Sequence, residues 1–186
     1  MVKYILPSLL FLFLCSVCVV AQPKTPMYKS IKSSIQFFSE TPIENIDAVS
    51  KSMVSAINTG NQNVAAVIAI KTFHFNNAFM EEHFNEKYME SDKYPKATFS
   101  GLINEPINFR QPGSYKITVT GKLNIHGVEK VRTISGMLTI DPSLKLNFRA
   151  TFEVTLVDHK IEVPQLVTQK IAEVIRVNID GIYEMQ

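Results

Sequence analysis

The sequence runs to 186 residues, a length that suits one domain. Hydrophobic residues make up 46%, enough for a real core and too many for a disordered chain. Charged residues are 19% and the net charge is +2, so the strong basic surface that nucleic-acid binding needs is missing and a nucleic-acid partner is excluded.

Residues 1–21 read as a signal peptide. Lys3 supplies the positive charge, and Ile5 to Val20 is apolar apart from Pro7, Ser8 and Ser16. Val19-Val20-Ala21 then offers small residues where a signal peptidase cuts, which makes Gln22 the new N-terminus. A transmembrane anchor needs roughly 20 apolar residues, more than this stretch holds. Acylation at Cys15 or Cys18 wants a small residue just before the cysteine, and Leu14 and Val17 stand there instead. Both cysteines lie inside the signal, so residues 22–186 contain none. That removes disulfides, thiolate nucleophiles and Cys-based metal sites together. The expectation is an exported protein, periplasmic or secreted, built as one domain over 22–186.

Gln22 to Met27 is a short Pro-containing lead-in. Strand candidates follow at Tyr28 to Ser39, Ser50 to Ile57, Asn63 to Phe75 and Ala97 to Ile103. Asn76 to Glu90 reads as a helix, with Phe79, Met80, His83, Phe84 and Tyr88 at helical spacing and Glu81, Glu82, Glu86 and Lys87 on a solvated face. The clearest alternation is Ser114 to His126. Tyr115, Ile117, Val119, Leu123 and Ile125 share one face with Gly121 in phase, and Lys116, Thr118, Thr120, Lys122 and Asn124 share the other. Lys130 to Ile140 continues with Ile134, Leu138 and Ile140 in phase around Gly136. Leu144 to Leu156 puts Leu146, Phe148, Ala150, Phe152 and Val154 on its apolar face. A second helix is expected over Leu166 to Glu173 after Pro164. The last strand, Ile175 to Tyr183, sets Ile175, Val177, Ile179, Gly181 and Tyr183 in phase.

These are half-buried antiparallel strands, joined by turn chemistry at Gly127 and at Asp141-Pro142-Ser143. Eight or so strands with only short helices indicate an all-β barrel or sandwich, and strands of up to about twelve residues favour the barrel. The in-phase glycines mark sharp bends or places where something needs room.

The chain carries no G-x-S-x-G, H-E-x-x-H, phosphate-binding loop or dinucleotide glycine fingerprint. None of His74, His83, His126 and His159 pairs with another at the i, i+4 spacing of a helical metal site. His83 is expected to anchor the helix by a hydrogen bond, and His126 to bond local backbone in its turn. Asp158-His159 lacks an identifiable nucleophile. No catalytic or metal-binding residue is assigned.

One segment runs from Phe79-Met80-Glu81-Glu82-His83-Phe84 through Tyr88 to Tyr94-Pro95-Lys96-Ala97-Thr98-Phe99, and another is Gly121-Lys122-Leu123-Asn124-Ile125-His126-Gly127-Val128. These two segments resemble the YceI-like family. The family's histidine before the first strand is missing from Tyr28 to Ser34, and the C-terminal ending differs. The resemblance implies an eight-stranded antiparallel, lipocalin-like barrel with one or two short capping helices. It also implies a long apolar tunnel that holds a polyisoprenoid, such as an isoprenoid quinone or a polyprenyl phosphate. Family members are commonly periplasmic, and the resemblance leaves room for a homodimer and for transient membrane contact.

On that footing the expected barrel lining is Tyr115, Ile117, Val119, Leu123, Phe148, Ala150, Phe152 and Val154, with Phe79, His83 and Phe84 at the cap and entrance. The partner would be a hydrophobic small molecule, a bound isoprenoid lipid and no covalent cofactor. Two other readings remain open. One is an enzyme acting on a hydrophobic substrate at the barrel mouth, and the other is a structural barrel closed by its own side chains. A continuous cavity of several hundred Å³ would favour binding.

Overall fold

The computed structural model describes residues 26–164 and 171–186. The expected signal peptide and most of the lead-in lie outside these. So does most of the helix expected over Leu166 to Glu173, of which Ile171 to Glu173 are described and carry no helix.

The strands are β1 (Met27–Glu40), β2 (Asn45–Ser50), β3 (Val54–Asn58), β4 (Asn63–Ala69), β5 (His74–Phe75), β6 (Lys96–Ile103), β7 (Gly113–Ile125), β8 (Val128–Ile140), β9 (Leu146–Thr155) and β10 (Val174–Met185). One α-helix, α1 (Ala78–His83), follows β5 and passes into a π-helical turn, Phe84–Tyr88. Antiparallel neighbours run β10-β9-β8-β7-β6-β4-β3-β1, and β1 pairs back onto β10. The result is a closed eight-stranded antiparallel barrel, with β2 and β5 extending it at one end.

Two of the expected strands are broken. Lys29 faces Ala56 on β3 and Ile35 faces Ser50 on β2, so β2 and β3 are two halves of one interrupted strand along β1. The expected strand Ser50 to Ile57 straddles that break. Across it Ser33 Oγ donates to the Met53 carbonyl (2.6 Å), and the Ser55 N–H donates to Ser30 Oγ (2.9 Å). These side chains replace missing ladder bonds, which buried backbone groups require. The expected strand Asn63 to Phe75 is likewise split, by a 3-10 turn at Ile70–Thr72, where the Ser50 and Thr72 hydroxyls meet at 2.7 Å.

The alternation in β7 to β9 is realised as expected, while on β10 only Gly181 and Tyr183 are buried and Ile175, Val177 and Ile179 are half-buried. Ile117, Val119, Leu123, Ile134, Leu138, Ile140, Leu146, Ala150 and Val154 are all buried. His126 and Gly127 form a two-residue hairpin turn, both with left-handed φ (53° and 72°), a primed turn whose twist matches its strands.

The two ends of the barrel differ. At the end holding the start of β1, Tyr28, Ile57, Ile103, Phe109, Ile140 and Leu146 pack into a solid core. Tyr28 donates its hydroxyl to the Leu144 carbonyl (2.8 Å), and its ring lies 6.0 Å from that of Phe109, which arrives on the β6–β7 connection. Further in, aromatic rings lie over the in-phase glycines. A Cβ on Gly121 would meet the Phe99 ring at 2.8 Å, and one on Gly136 would meet the Phe148 ring at 2.5 Å. A Cβ on Gly181 would meet the Tyr183 ring at 2.9 Å. The room these glycines leave is thus taken by the protein's own rings.

At the opposite end, α1 and the π-turn cap the barrel. Asn77 Oδ1 accepts from the Phe79 N–H (2.9 Å) and starts the helix, while Glu81 Oε2 accepts from the Phe75 N–H (3.1 Å). Phe84 packs inward, 5.0–5.8 Å from the rings of Phe37, Phe73 and Phe75. A second tie is polar. His126 Nε2 lies 2.9 Å from Glu90 Oε2, and its Nδ1 donates to the His159 carbonyl (3.2 Å). Its partners are therefore distant in sequence, not the local backbone. The Tyr94 ring stands edge-on to it at 4.4 Å. His159 is fully buried and donates Nδ1–H to the Val128 carbonyl (3.1 Å). Asp158 pairs with Arg132, not with His159.

The packing around the glycines and the buried histidine can each be tested. A Cβ added at position 121 would sit 2.3 Å from the Ser100 carbonyl oxygen and 2.5 Å from Gly101 Cα, backbone atoms that cannot yield. Gly121→Val is expected to lower stability by about 3 kcal/mol, the upper range for overpacking, read as a lower denaturant midpoint; an unchanged midpoint contradicts the packing. Burial pushes the His159 pKa below its ordinary value of 6.5. The unfolded chain then takes up the proton first, so stability present above about pH 6.5 is lost as pH falls. Glu105 and Asp141 are held low by hydrogen bonds from the Thr118 N–H and the Ser143 hydroxyl, and they act only at lower pH. The thermal midpoint should therefore fall between about pH 6.5 and 5 in the native chain and stay flatter in His159→Gln; parallel curves contradict the assignment.

Candidate ligand cavity

The capped half of the barrel is hollow. A cavity of about 470 Å³ opens there, within the usual range of ligand pockets. Its wall draws on nearly every strand: Ile35 and Phe37 from β1, Ile68 from β4, Ala97 from β6, Ile125 from β7, Val154 from β9 and Val177 from β10. Phe84, Tyr88 and Met89 roof it. Among the described residues the polar lining is confined to Ser39, Glu44, Asn77, His83 and Tyr88. Ser39, Glu44 and Asn77 lie at strand ends and the helix cap, and apart from His83 and Tyr88 of the cap the rest of the lining is apolar.

A second, smaller void of about 80 Å³ lies deeper, lined by Met53, Ile57, Phe99, Ile117, Val119, Leu123, Phe148 and Tyr183 among others. Its polar side chains satisfy each other: Ser55 Oγ donates to Tyr183 Oη at 2.9 Å. Burial raises the Tyr183 pKa, so the hydroxyl stays neutral.

The expected lining residues separate along this axis. Phe152 and Val154 reach the large cavity, together with Phe79, His83 and Phe84 from the cap. Ile117, Val119, Leu123 and Phe148 line the small void instead, which Phe152 also touches. Tyr115 and Ala150 line neither. Tyr115 sits towards the filled end and donates its hydroxyl to the Gln111 carbonyl (2.8 Å), and Ala150 is packed between Gly136 and Ile179 on the flanking strands.

At the cap, Phe79 is 61% exposed and the His83 ring lies against it, tilted by 46° with centroids 4.0 Å apart. No hydrogen bond to the His83 ring is present among the described residues, so the expected anchoring bond gives way to this contact. Residues that pattern reasoning left off the lining include Ile35, Phe37, Ile175 and Val177. Their in-phase spacing was readable, but their height in the barrel follows from the β1–β10 register.

The described residues contain no cluster of three or more His, Cys, Asp or Glu able to hold a metal ion, and no helix among them is long and apolar enough to cross a membrane.

The same fold recurs in solved structures. A polyisoprenoid-binding domain from Saccharophagus degradans, implicated in plant cell wall breakdown, superposes with a TM-score of 0.74 at 14% identity, over 86% of this chain and 98% of that one. BcnA from Burkholderia cenocepacia gives 0.68 at 15% identity, over 81% and 95%. A YceI protein from Campylobacter jejuni gives 0.56 at 18% identity, over 73% and 80%. Among curated proteins no sequence match was found. The sequence itself matches the YceI-like domain over residues 28–182, which spans β1 to β10, and the chain belongs to that family.

Proposed function

We propose that this chain is an exported binding protein that holds an isoprenoid or similar amphipathic lipid in the capped half of its barrel. One observation carries the reading: a continuous cavity of about 470 Å³ with dry walls and polar groups at its mouth. A prenyl chain inside would leave water at about 0.8 kcal/mol per buried methylene. Its head would rest among Ser39, Glu44, Asn77 and His83. Glu44 places a carboxylate there, and no Lys or Arg among the described residues lines the space, which favours an uncharged head over a phosphate. The description of the Saccharophagus degradans domain as polyisoprenoid-binding supports the same class.

Binding rather than turnover suits the histidines. His126 and His159 are committed to the packing described above, and His83 packs at a tilt against Phe79. Export follows from the signal read over residues 1–21 and puts the site in the periplasm or outside the cell. Phe79 on the cap and Ile43 beside Glu44 are both more than half exposed, which fits brief contact with a membrane during loading.

Protein purified from its native host is expected to carry a lipid that solvent extraction releases for mass spectrometry. Ala97→Trp places an indole into the cavity from β6 and should reduce that lipid at least tenfold while circular dichroism still reports the barrel. Repeated preparations without extractable lipid, or equal loading of the folded variant, would sink the proposal.

A further inference from the structure

The two internal spaces meet at one level of the barrel. On β6, Ala97 lines the large cavity and Phe99 the small void; on β4 the change comes between Ile68 and Ala66. On β7 it falls between Ile125 and Leu123, and on β10 between Val177 and Ile179. Each step is one inward position along its strand. β9 breaks the rule. Val154 faces the large cavity and Phe148 the small void, but Phe152 lines both, alone among the described residues. Its backbone partner on β10 is Val177, at the same level.

Below that level the void is apolar apart from the Ser55–Tyr183 pair, whose polar atoms already bond each other. An alkyl chain entering it would leave no polar group unpaired. Between it and the large cavity stands the Phe152 ring, whose backbone is held by pairing with Val177 on β10, while the ladder to β8 ends two residues earlier at Ala150.

We propose that Phe152 is the floor of the lipid site and sets the longest chain the barrel admits. The inference rests on the reading of the large cavity as a lipid site. A methylene occupies about as much space as a water, ~30 Å³, so about 470 Å³ accepts on the order of 15 carbons. That is a prenyl chain of about three units. Removing the ring joins the void of about 80 Å³ to the cavity and adds the ring's own space, enough for roughly one further unit.

The test is calorimetric titration of delipidated protein with geraniol, farnesol and geranylgeraniol. In the native chain, affinity should climb from geraniol to farnesol and then change by less than about threefold to geranylgeraniol, because the added unit stays outside. In Phe152→Ala, geranylgeraniol should bind at least tenfold tighter than farnesol, since each newly buried methylene is worth about fourfold. Phe152→Leu, which leaves a smaller hole and protects the fold, should shift the profile in the same direction by a smaller factor. Native protein that binds farnesol, with variants showing its length profile unchanged, overturns the floor and leaves the lipid site standing. Absence of binding to all three alcohols by the folded native protein removes both.

Discussion

Pairing of β1 with β10, from Tyr28 against Met185 to Phe38 against Arg176, removes both edges of the sheet in one step. An open sheet would present a row of unpaired N–H and C=O groups and one apolar face needing cover. Closure turns that apolar face into an interior that only the chain's own side chains or a guest can fill. The rest of the structure follows from how unevenly the fill is distributed along the axis.

Towards the start of β1 the fill is aromatic. Phe99, Phe148 and Tyr183 lie over Gly121, Gly136 and Gly181, and Tyr28 and Phe109 close the end. Towards the cap small and aliphatic residues, Ala97, Val154 and Val177, stand where the other half has rings, and the aromatic cluster of Phe37, Phe73, Phe75 and Phe84 forms part of the lining around the space they leave. A largely apolar hollow with polar side chains near the strand ends suits an amphipathic chain, and it exists because Ala97, Val154 and Val177 stand where the other half of the barrel carries rings.

Much of this was legible from pattern. The period-two runs of β7, β8, β9 and β10 and the Gly127 turn mark long antiparallel strands, and the two family-like segments point to the barrel. The pattern fails where polar side chains substitute for ladder bonds. β2 was not anticipated because its inward positions Ile46, Ala48 and Ser50 are small or polar along half their length, and its break from β3 depends on Ser33 and Ser30, which lie on another strand. The partners of His126, Glu90 and His159, are more than thirty residues away and leave no local signal. Alternation also reports which way a side chain points and not how high it sits. Tyr115 and Phe152 both face inward, yet one lies at the filled end and the other beneath the cavity. Height along the axis is set by register between distant strands, so the lining had to be read from the fold.

The central claim is that half the barrel is filled and the capped half is a dry hollow. Crystals of delipidated protein held under xenon test it directly, since apolar cavities stay free of ordered water and take up that atom. Xenon density among Ile68, Ala97, Val154 and Val177, without a chain of ordered waters, is the expected result. A hydrogen-bonded water column through that space, or wall side chains collapsed to close it, would contradict the account.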